Sequence, residues 1–344
     1  MTLRQAQDER AEIAVIGAGA WGTALAQLVA SDGSPVLIWA YEAEVVEAIN
    51  RTRSNPLFLK EADLSSAIRA TGDLGELAGI PIVLAVTPAQ VLGKVLAGLA
   101  EGPRDLVLCS KGIEGGTGRL MNEVAREACP ESEIAVLSGP TFAHEVAAGL
   151  PTAVTLACSG GEPQWDRLMP AIARPAFRPY YSDDVTGAEI GGAVKNVLAI
   201  ACGLVDGLEL GQNARAALIA RGYAEMLRFG EALGARRETL AGLCGLGDLV
   251  LTCSSTSSRN FSLGVALGQG RSAAELMADR TTVAEGAFTA PVLAALAEER
   301  GVAMPIVAAV NAILEGEAPR EAVAALLARP LKSERDGTAG KAGA

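Results

Sequence analysis

The chain has 344 residues, half of them apolar and a fifth charged, with a formal net charge of −11 and a pI near 4.8. That length accommodates two domains with buried cores, and the acidic balance speaks against the basic footprint of a nucleic-acid binder. There is one histidine, His144, and the six cysteines at 109, 129, 158, 202, 244 and 253 form no C-x-x-C pair. No metal site is therefore expected, and the cysteines read as reduced, buried small side chains.

Residues 1–10 are polar and expected to fray. Residues 11–30 are mostly apolar, but Gly17, Gly19 and Gly22 interrupt them, Glu12, Thr23 and Gln27 lie inside them, and mixed charges precede them. This is neither a signal peptide nor a membrane span. No other stretch is expected to reach the length of a span, so the expected compartment is the cytoplasm. Short apolar runs at Ile13–Ile16, Val36–Trp39, Ile82–Ala85, Leu106–Cys109, Ile134–Leu137 and Ala153–Ala157 read as strands. Thr23–Ala30, Ala43–Arg51, Gln90–Leu99 and Leu120–Ala128 alternate with them and read as helices. The fold class expected is α/β, with a doubly wound, mostly parallel Rossmann-like sheet.

After about residue 183 the texture changes. Residues 188–205, 213–233, 239–252, 273–278, 287–299, 304–315 and 320–328 have helical spacing with no competing strand pattern. The expected organisation is a dinucleotide-binding domain at 11–187, an all-helical substrate domain at 188–331, and a disordered tail at 332–344 rich in Gly, Ser, Lys and Asp.

The first strand runs directly into G-A-G-A-W-G at 17–22, and a helix follows. In this setting Gly17 permits the tight turn, Gly19 lets a pyrophosphate approach the backbone, and Gly22 lets helix and strand pack closely. The helix start then supplies N–H groups and positive potential to the pyrophosphate. After the second strand come Ala40, Tyr41 and Glu42, with no basic residue to meet a 2′-phosphate. Glu42 is either a ribose ligand or an ordinary helix-start carboxylate.

Lysines are scarce, and two stand in unusual places. Lys111 follows a strand in C-S-K-G-I-E, at the carboxyl end where open α/β sheets bind ligands. Lys195 interrupts an otherwise apolar helix, G-G-A-V-K-N-V-L-A-I-A. Burial there would lower its pKa and suit it to proton transfer, whereas a stem that reaches solvent would leave it ordinary. Asp248 and Thr252 share one helical face, and Asp248, in apolar surroundings, needs a partner such as Lys195. The hydroxyl-rich run that follows ends in Ser258-Arg259-Asn260, donors suited to a phosphate monoester, or else a polar loop before the next helix.

These residues belong to a longer series: S-K-G-I-E at 110–114, S-G-P-T-F-A-H-E-V-A at 138–147, L-P-T-A-V at 150–154 and G-G-A-V-K-N at 191–196. It continues with N-A-R-A-A-L-I-A-R-G at 213–222, G-L-G-D-L-V-L-T-C at 245–253, S-R-N at 258–260 and V-A-E-G at 283–286. With G-A-G-A-W-G-T-A-L-A at 17–26, they make the chain resemble the bacterial-type NAD(P)-dependent glycerol-3-phosphate dehydrogenases from about residue 12 to 330. The resemblance implies NAD or NADP as cofactor, dihydroxyacetone phosphate as the small phosphorylated substrate, and a product that feeds phospholipid synthesis. It implies Lys195 as the proton donor and acceptor, and Lys111 in contact with both substrate and cofactor. It places Gly139, Thr141, Asp248, Ser258, Arg259 and Asn260 at the substrate, with Arg259 also near the cofactor. Ala20, Trp21, Tyr41, Ala143, Val283 and Glu285 fall at cofactor positions. Many relatives carry a basic residue where Tyr41 stands, which leaves NAD against NADP open. Oligomeric state is likewise open, with a homodimer as the candidate assembly.

Two other readings compete: another hydroxyacid dehydrogenase or ketopantoate-type reductase, and a dinucleotide sensor without catalysis. Ser258-Arg259-Asn260 argues against the first, because it suits a phosphorylated substrate. Lys195 and Asp248 argue against the second, because a sensor needs no proton donor.

Overall fold

The computed structural model describes residues 11–99, 101–278 and 284–330. The ends expected to be disordered, 1–10 and 332–344, and the candidate residue Val283 lie outside the described residues. The chain divides into two compact units, 1–114 with 119–189, and 115–118 with 190–344.

The first unit holds β1 (Ile13–Ile16), β2 (Val36–Trp39), β3 (Ile68–Thr71), β4 (Ile82–Ala85), β5 (Asp105–Leu108), β6 (Glu133–Ser138), β7 (Thr152–Cys158) and β8 (Phe177–Ser182). They form one eight-stranded sheet in the order β3-β2-β1-β4-β5-β6-β7-β8. Only β6 and β7 pair antiparallel. Its helices are α1 (Ala20–Val29), α2 (Ala43–Thr52), α3 (Leu92–Leu96), α4 (Met121–Ala128), α5 (Ala143–Ala147) and α6 (Gly161–Ile172). β1, Ile-Ala-Val-Ile, and β2, Val-Leu-Ile-Trp, are buried at every position, as strands covered on both faces must be. The strand order reverses beside β1, whose neighbours are β2 and β4, so the loop after β1 opens at the switch point where such sheets bind ligands.

Three elements of this unit escape a reading by apolar runs. β3 places exposed Arg69 between buried Ile68 and Ala70. β8 is an edge strand containing Pro179, tolerated there because an edge residue need not donate to a neighbour. α6 carries an internal proline, Pro170. The helix expected over Gln90–Leu99 is a 3-10 turn, Ala89–Val91, followed by the short α3.

The second unit continues with α7 (Val185–Gly207), which begins in the first, then α8 (Gly211–Ala232), α9 (Arg237–Leu240), α10 (Asp248–Thr252) and α11 (Arg259–Gly268). α12 (Ala273–Ala278), α13 (Glu285–Glu299), α14 (Pro305–Leu314) and α15 (Pro319–Leu327) complete it. α7 is long and apolar enough to cross a membrane, which corrects the expectation that no stretch beyond 11–30 reaches that length. Its most apolar window is wholly buried in the fold. The reason is backbone-to-backbone packing on α11. A Cβ on Gly203 would lie 2.0 Å from the Phe261 carbonyl oxygen, and one on Gly264 would lie 2.1 Å from that of Ile200. Gly264 and Gly268 lower the helix propensity of α11 and hide it from sequence reading. The single helix expected over 239–252 is α9, a π-helical turn at Leu243–Gly247, and α10.

All six cysteines are free, and all but Cys129 are fully buried. Burial pushes the Cys109 thiol up to about 12, so it behaves as a small apolar side chain.

Buried Glu225 on α8 accepts from the backbone N of Ile306 at 2.9 Å and of Val307 at 3.3 Å, capping α14. Burial outweighs these bonds and pushes its carboxyl up to about 7. A raised carboxyl favours folding in its protonated form. Its contribution is thus full below pH 4.5 and is lost as pH rises to about 7. Relative to Glu225→Gln, the parent should lose about 3 kcal/mol of stability between pH 4.5 and 8. Denaturant titrations across that range check this, and parallel profiles for the two proteins would contradict it.

Candidate active site

The candidate site residues fall into three groups, each assembled within one unit. The first is the turn between β1 and α1. Gly17 has φ 107°, and a Cβ there would lie 3.1 Å from the Val86 carbonyl oxygen. Gly22 sits so close to the turn that a Cβ would fall 1.8 Å from the Gly17 carbonyl oxygen. Around Gly19, by contrast, a Cβ would meet nothing within 4 Å. One glycine makes the turn, one makes the packing, and one leaves the backbone open to a ligand. Ala20 and Trp21 begin α1. Tyr41 stands just after β2 and is 85% exposed. Glu42 is the N-cap residue of α2 but makes no side-chain cap. Of the two nearby arginines, Arg51 forms an exposed surface pair with Glu47 at 3.2 Å, and Arg53 donates to the Ile68 carbonyl at 2.7 Å. Ala143 opens α5, which packs beside α1.

The second group gathers at the carboxyl ends of β5 and β6. Lys111 Nζ donates to the Gly139 carbonyl at 3.1 Å, and Thr141 Oγ1 donates to the same oxygen at 3.2 Å. Gly139 has φ 158°, and a Cβ there would lie 2.9 Å from Val154 Cα. Only glycine fits. The loop bearing Lys111 is tied down by Ser110 Oγ, which donates to the Thr87 carbonyl at 2.5 Å, and by Gln90 Nε2, which donates to that of Ile113 at 2.8 Å.

The third group lies in the second unit. Lys195 is 6% exposed, Asp248 is fully buried, and Lys195 Nζ lies 2.7 Å from Asp248 Oδ1 and 2.9 Å from Thr252 Oγ1. α7, which carries Lys195, meets the π-helical turn before α10 backbone to backbone: a Cβ on Gly191 would lie 2.3 Å from the Cys244 carbonyl oxygen. Lys195 does not reach past the core to water. It is a buried ammonium with a carboxylate partner, which an apolar interior tolerates only as a pair. Ser258 is the N-cap of α11, its Oγ accepting from Phe261 N at 3.3 Å. Asn260 donates to Asn196 Oδ1 at 3.0 Å and accepts from Gly286 N at 2.9 Å, which holds the starts of α11 and α13 together beside Glu285. Arg259, in the first turn of α11, is exposed, and its guanidinium makes no hydrogen bond or ion pair among the described residues. First-turn N–H groups beside a guanidinium suit a phosphate.

Among the described residues no three His, Cys, Asp or Glu side chains are grouped to hold a metal ion. His144 stacks on Phe142, with ring centroids 5.9 Å apart. Sequence reasoning missed Asn55, which is fully buried beneath the turn at Gly17–Gly22. A polar residue in a loop gives no sign that tertiary structure will bury it.

Two family models match the chain. That for the NAD-dependent glycerol-3-phosphate dehydrogenase N-terminus covers residues 12–163, and that for the C-terminus of the same family covers 184–325. The chain is 74% identical over 329 residues to a glycerol-3-phosphate dehydrogenase [NAD(P)+] of Erythrobacter litoralis, covering 96% of this chain and 99% of that one. It is 71% identical over 324 residues to the protein of the same name from Novosphingobium aromaticivorans, covering 94% and 98%. The crystal structure of a Coxiella burnetii glycerol-3-phosphate dehydrogenase superposes with a TM-score of 0.88 at 40% identity, covering 92% of this chain and 98% of that chain.

Proposed function

The chain belongs to the NAD-dependent glycerol-3-phosphate dehydrogenase family, and from that premise we propose that it reduces dihydroxyacetone phosphate reversibly to sn-glycerol 3-phosphate. The observation that carries the reading is the buried Lys195 ammonium held by Asp248 and Thr252, in a chain whose first unit presents an open dinucleotide turn at Gly19. NAD(P)H supplies the hydride. Gly17, Gly19 and Gly22, with Ala20, Trp21 and Tyr41, hold the cofactor, and Ala143, Glu285 and Val283 add contacts to it. Lys111, Gly139 and Thr141 contact the substrate, and Lys111 also touches the cofactor. Ser258, Arg259 and Asn260 bind the phosphate, with Arg259 also near the cofactor. Lys195 protonates the alkoxide as it develops, and Asp248, fully buried and 2.7 Å from Lys195 Nζ, keeps the ammonium in place.

The test is NADH oxidation with dihydroxyacetone phosphate, ketopantoate and simple 2-keto acids in parallel. Turnover confined to the phosphorylated ketone is the expected result, and equal turnover of a keto acid would favour the competing reductase. The same reading places the enzyme in the cytoplasm, as a homodimer without a nucleic-acid partner. The charge of −11 supports the last point, and light scattering checks the assembly.

Coenzyme choice follows from Tyr41 and Glu42. With no basic residue beside Tyr41 and with Glu42 next to it, NADH should be used at least as well as NADPH. Comparing kcat/KM for the two decides it. A preference for NADPH above about tenfold, roughly 1.4 kcal/mol, would mean that another cation holds the 2′-phosphate.

A further inference from the structure

We propose that Asn55 and Thr23 position the cofactor's diphosphate by fixing the orientation of one peptide in the Gly17–Gly22 turn, an inference that rests on the cofactor reading above. Asn55 is fully buried. Its Nδ2 donates to the Ala18 carbonyl at 2.8 Å and to Thr23 Oγ1 at 2.8 Å, while its Oδ1 accepts from Phe58 N at 3.2 Å. Thr23 is also fully buried, and its Oγ1 donates to the same Ala18 carbonyl at 3.1 Å. Two buried donors from different elements thus converge on one loop oxygen.

That oxygen belongs to the peptide joining Ala18 to Gly19. A trans peptide is planar, and its C=O and N–H point to opposite sides. Drawing the Ala18 oxygen toward Asn55 and Thr23 therefore turns the Gly19 N–H away from them. Within the turn, Gly19 is also the glycine with open space around it, and among the described residues no backbone carbonyl is seen to accept its N–H. Glycines on both sides of Ala18 make this the most freely rotating part of the turn, so an aimed donor needs an external restraint. The Asn55–Thr23 pair is that restraint. It holds ready a donor that an anionic diphosphate oxygen meets without reorganising the loop, and hydrogen bonds to charged acceptors are the strong ones.

Thr23→Val keeps the shape and removes the hydroxyl; Thr23→Ser restores it. Thr23→Val should raise the Kd and KM for NADH about tenfold, the worth of one hydrogen bond to a charged group. The kcat at saturating NADH and the KM for dihydroxyacetone phosphate should stay within about twofold, and Thr23→Ser should return the NADH constants to within about twofold of the parent. Asn55→Leu should act in the same direction and more strongly, and Thr23→Val keeps the test alive should that variant not fold. The loss should follow the diphosphate, with the inhibition constant of ADP rising in proportion while that of adenosine holds. The proposal is overturned if Thr23→Val leaves NADH binding within about twofold of the parent, or if ADP and adenosine weaken alike, which would make the pair a general support of the fold. If the parent itself fails to bind NADH, the cofactor reading falls and this proposal falls with it.

Discussion

Replacing Lys195 with Met is expected to lower kcat by about 10²–10⁴-fold while NADH binding survives. Methionine keeps a similar stem and removes both the proton and the charge. The structure adds a second consequence, because Asp248 is fully buried and its Oδ1 sits 2.7 Å from the ammonium. Without Lys195 that carboxylate is stranded, and breaking a buried pair in this way costs about 3–5 kcal/mol. A fall in activity alone would therefore be ambiguous. The double variant Lys195→Met/Asp248→Asn removes the stranded charge, so it should recover much of the lost stability and none of the lost turnover. Thermal denaturation, NADH titration and steady-state kinetics on both variants separate the two effects. A folded Lys195→Met protein with turnover close to the parent would remove Lys195 from the chemistry.

Arg259→Ala should fail in another way. Its exposed guanidinium at the start of α11 is held by no partner among the described residues, so truncation strands nothing and should leave the fold intact. The KM for dihydroxyacetone phosphate should rise by about 10–100-fold, as for loss of a charge-assisted contact to phosphate. Part of the loss appears in kcat to the extent that phosphate binding is used in the transition state. Dihydroxyacetone, which lacks the phosphate, should be a poor substrate of the parent and should lose little more in the variant. The comparison of two substrates on two proteins isolates the phosphate contact. Equal harm to both substrates would assign Arg259 to the cofactor or to the fold.

Much of this was legible in the chain. β1, β2 and β4 fall where the uninterrupted runs Ile13–Ile16, Val36–Trp39 and Ile82–Ala85 place them, because strands buried on both faces cannot alternate. The partnership of Lys195 with Asp248 was legible for a related reason: each is an isolated charge in an apolar segment, and neither can be buried alone. Other features need three dimensions. α11 carries Gly264 and Gly268, which weaken a helix in isolation and become intelligible only against the backbone of α7. The burial of the apolar α7 goes with the same contact. Asn55 and Glu225 look in sequence like ordinary polar residues, and only their burial reveals what they hold.

The most direct measurement follows dihydroxyacetone phosphate and NADH together, with NADH read by absorbance and the phosphorylated species by phosphorus NMR. The expected result is one glycerol 3-phosphate formed for each NADH consumed, no NADH loss without the ketone phosphate, and the reverse reaction when glycerol 3-phosphate and NAD are supplied. No NADH consumption above the substrate-free rate, with either NADH or NADPH, would contradict the assignment.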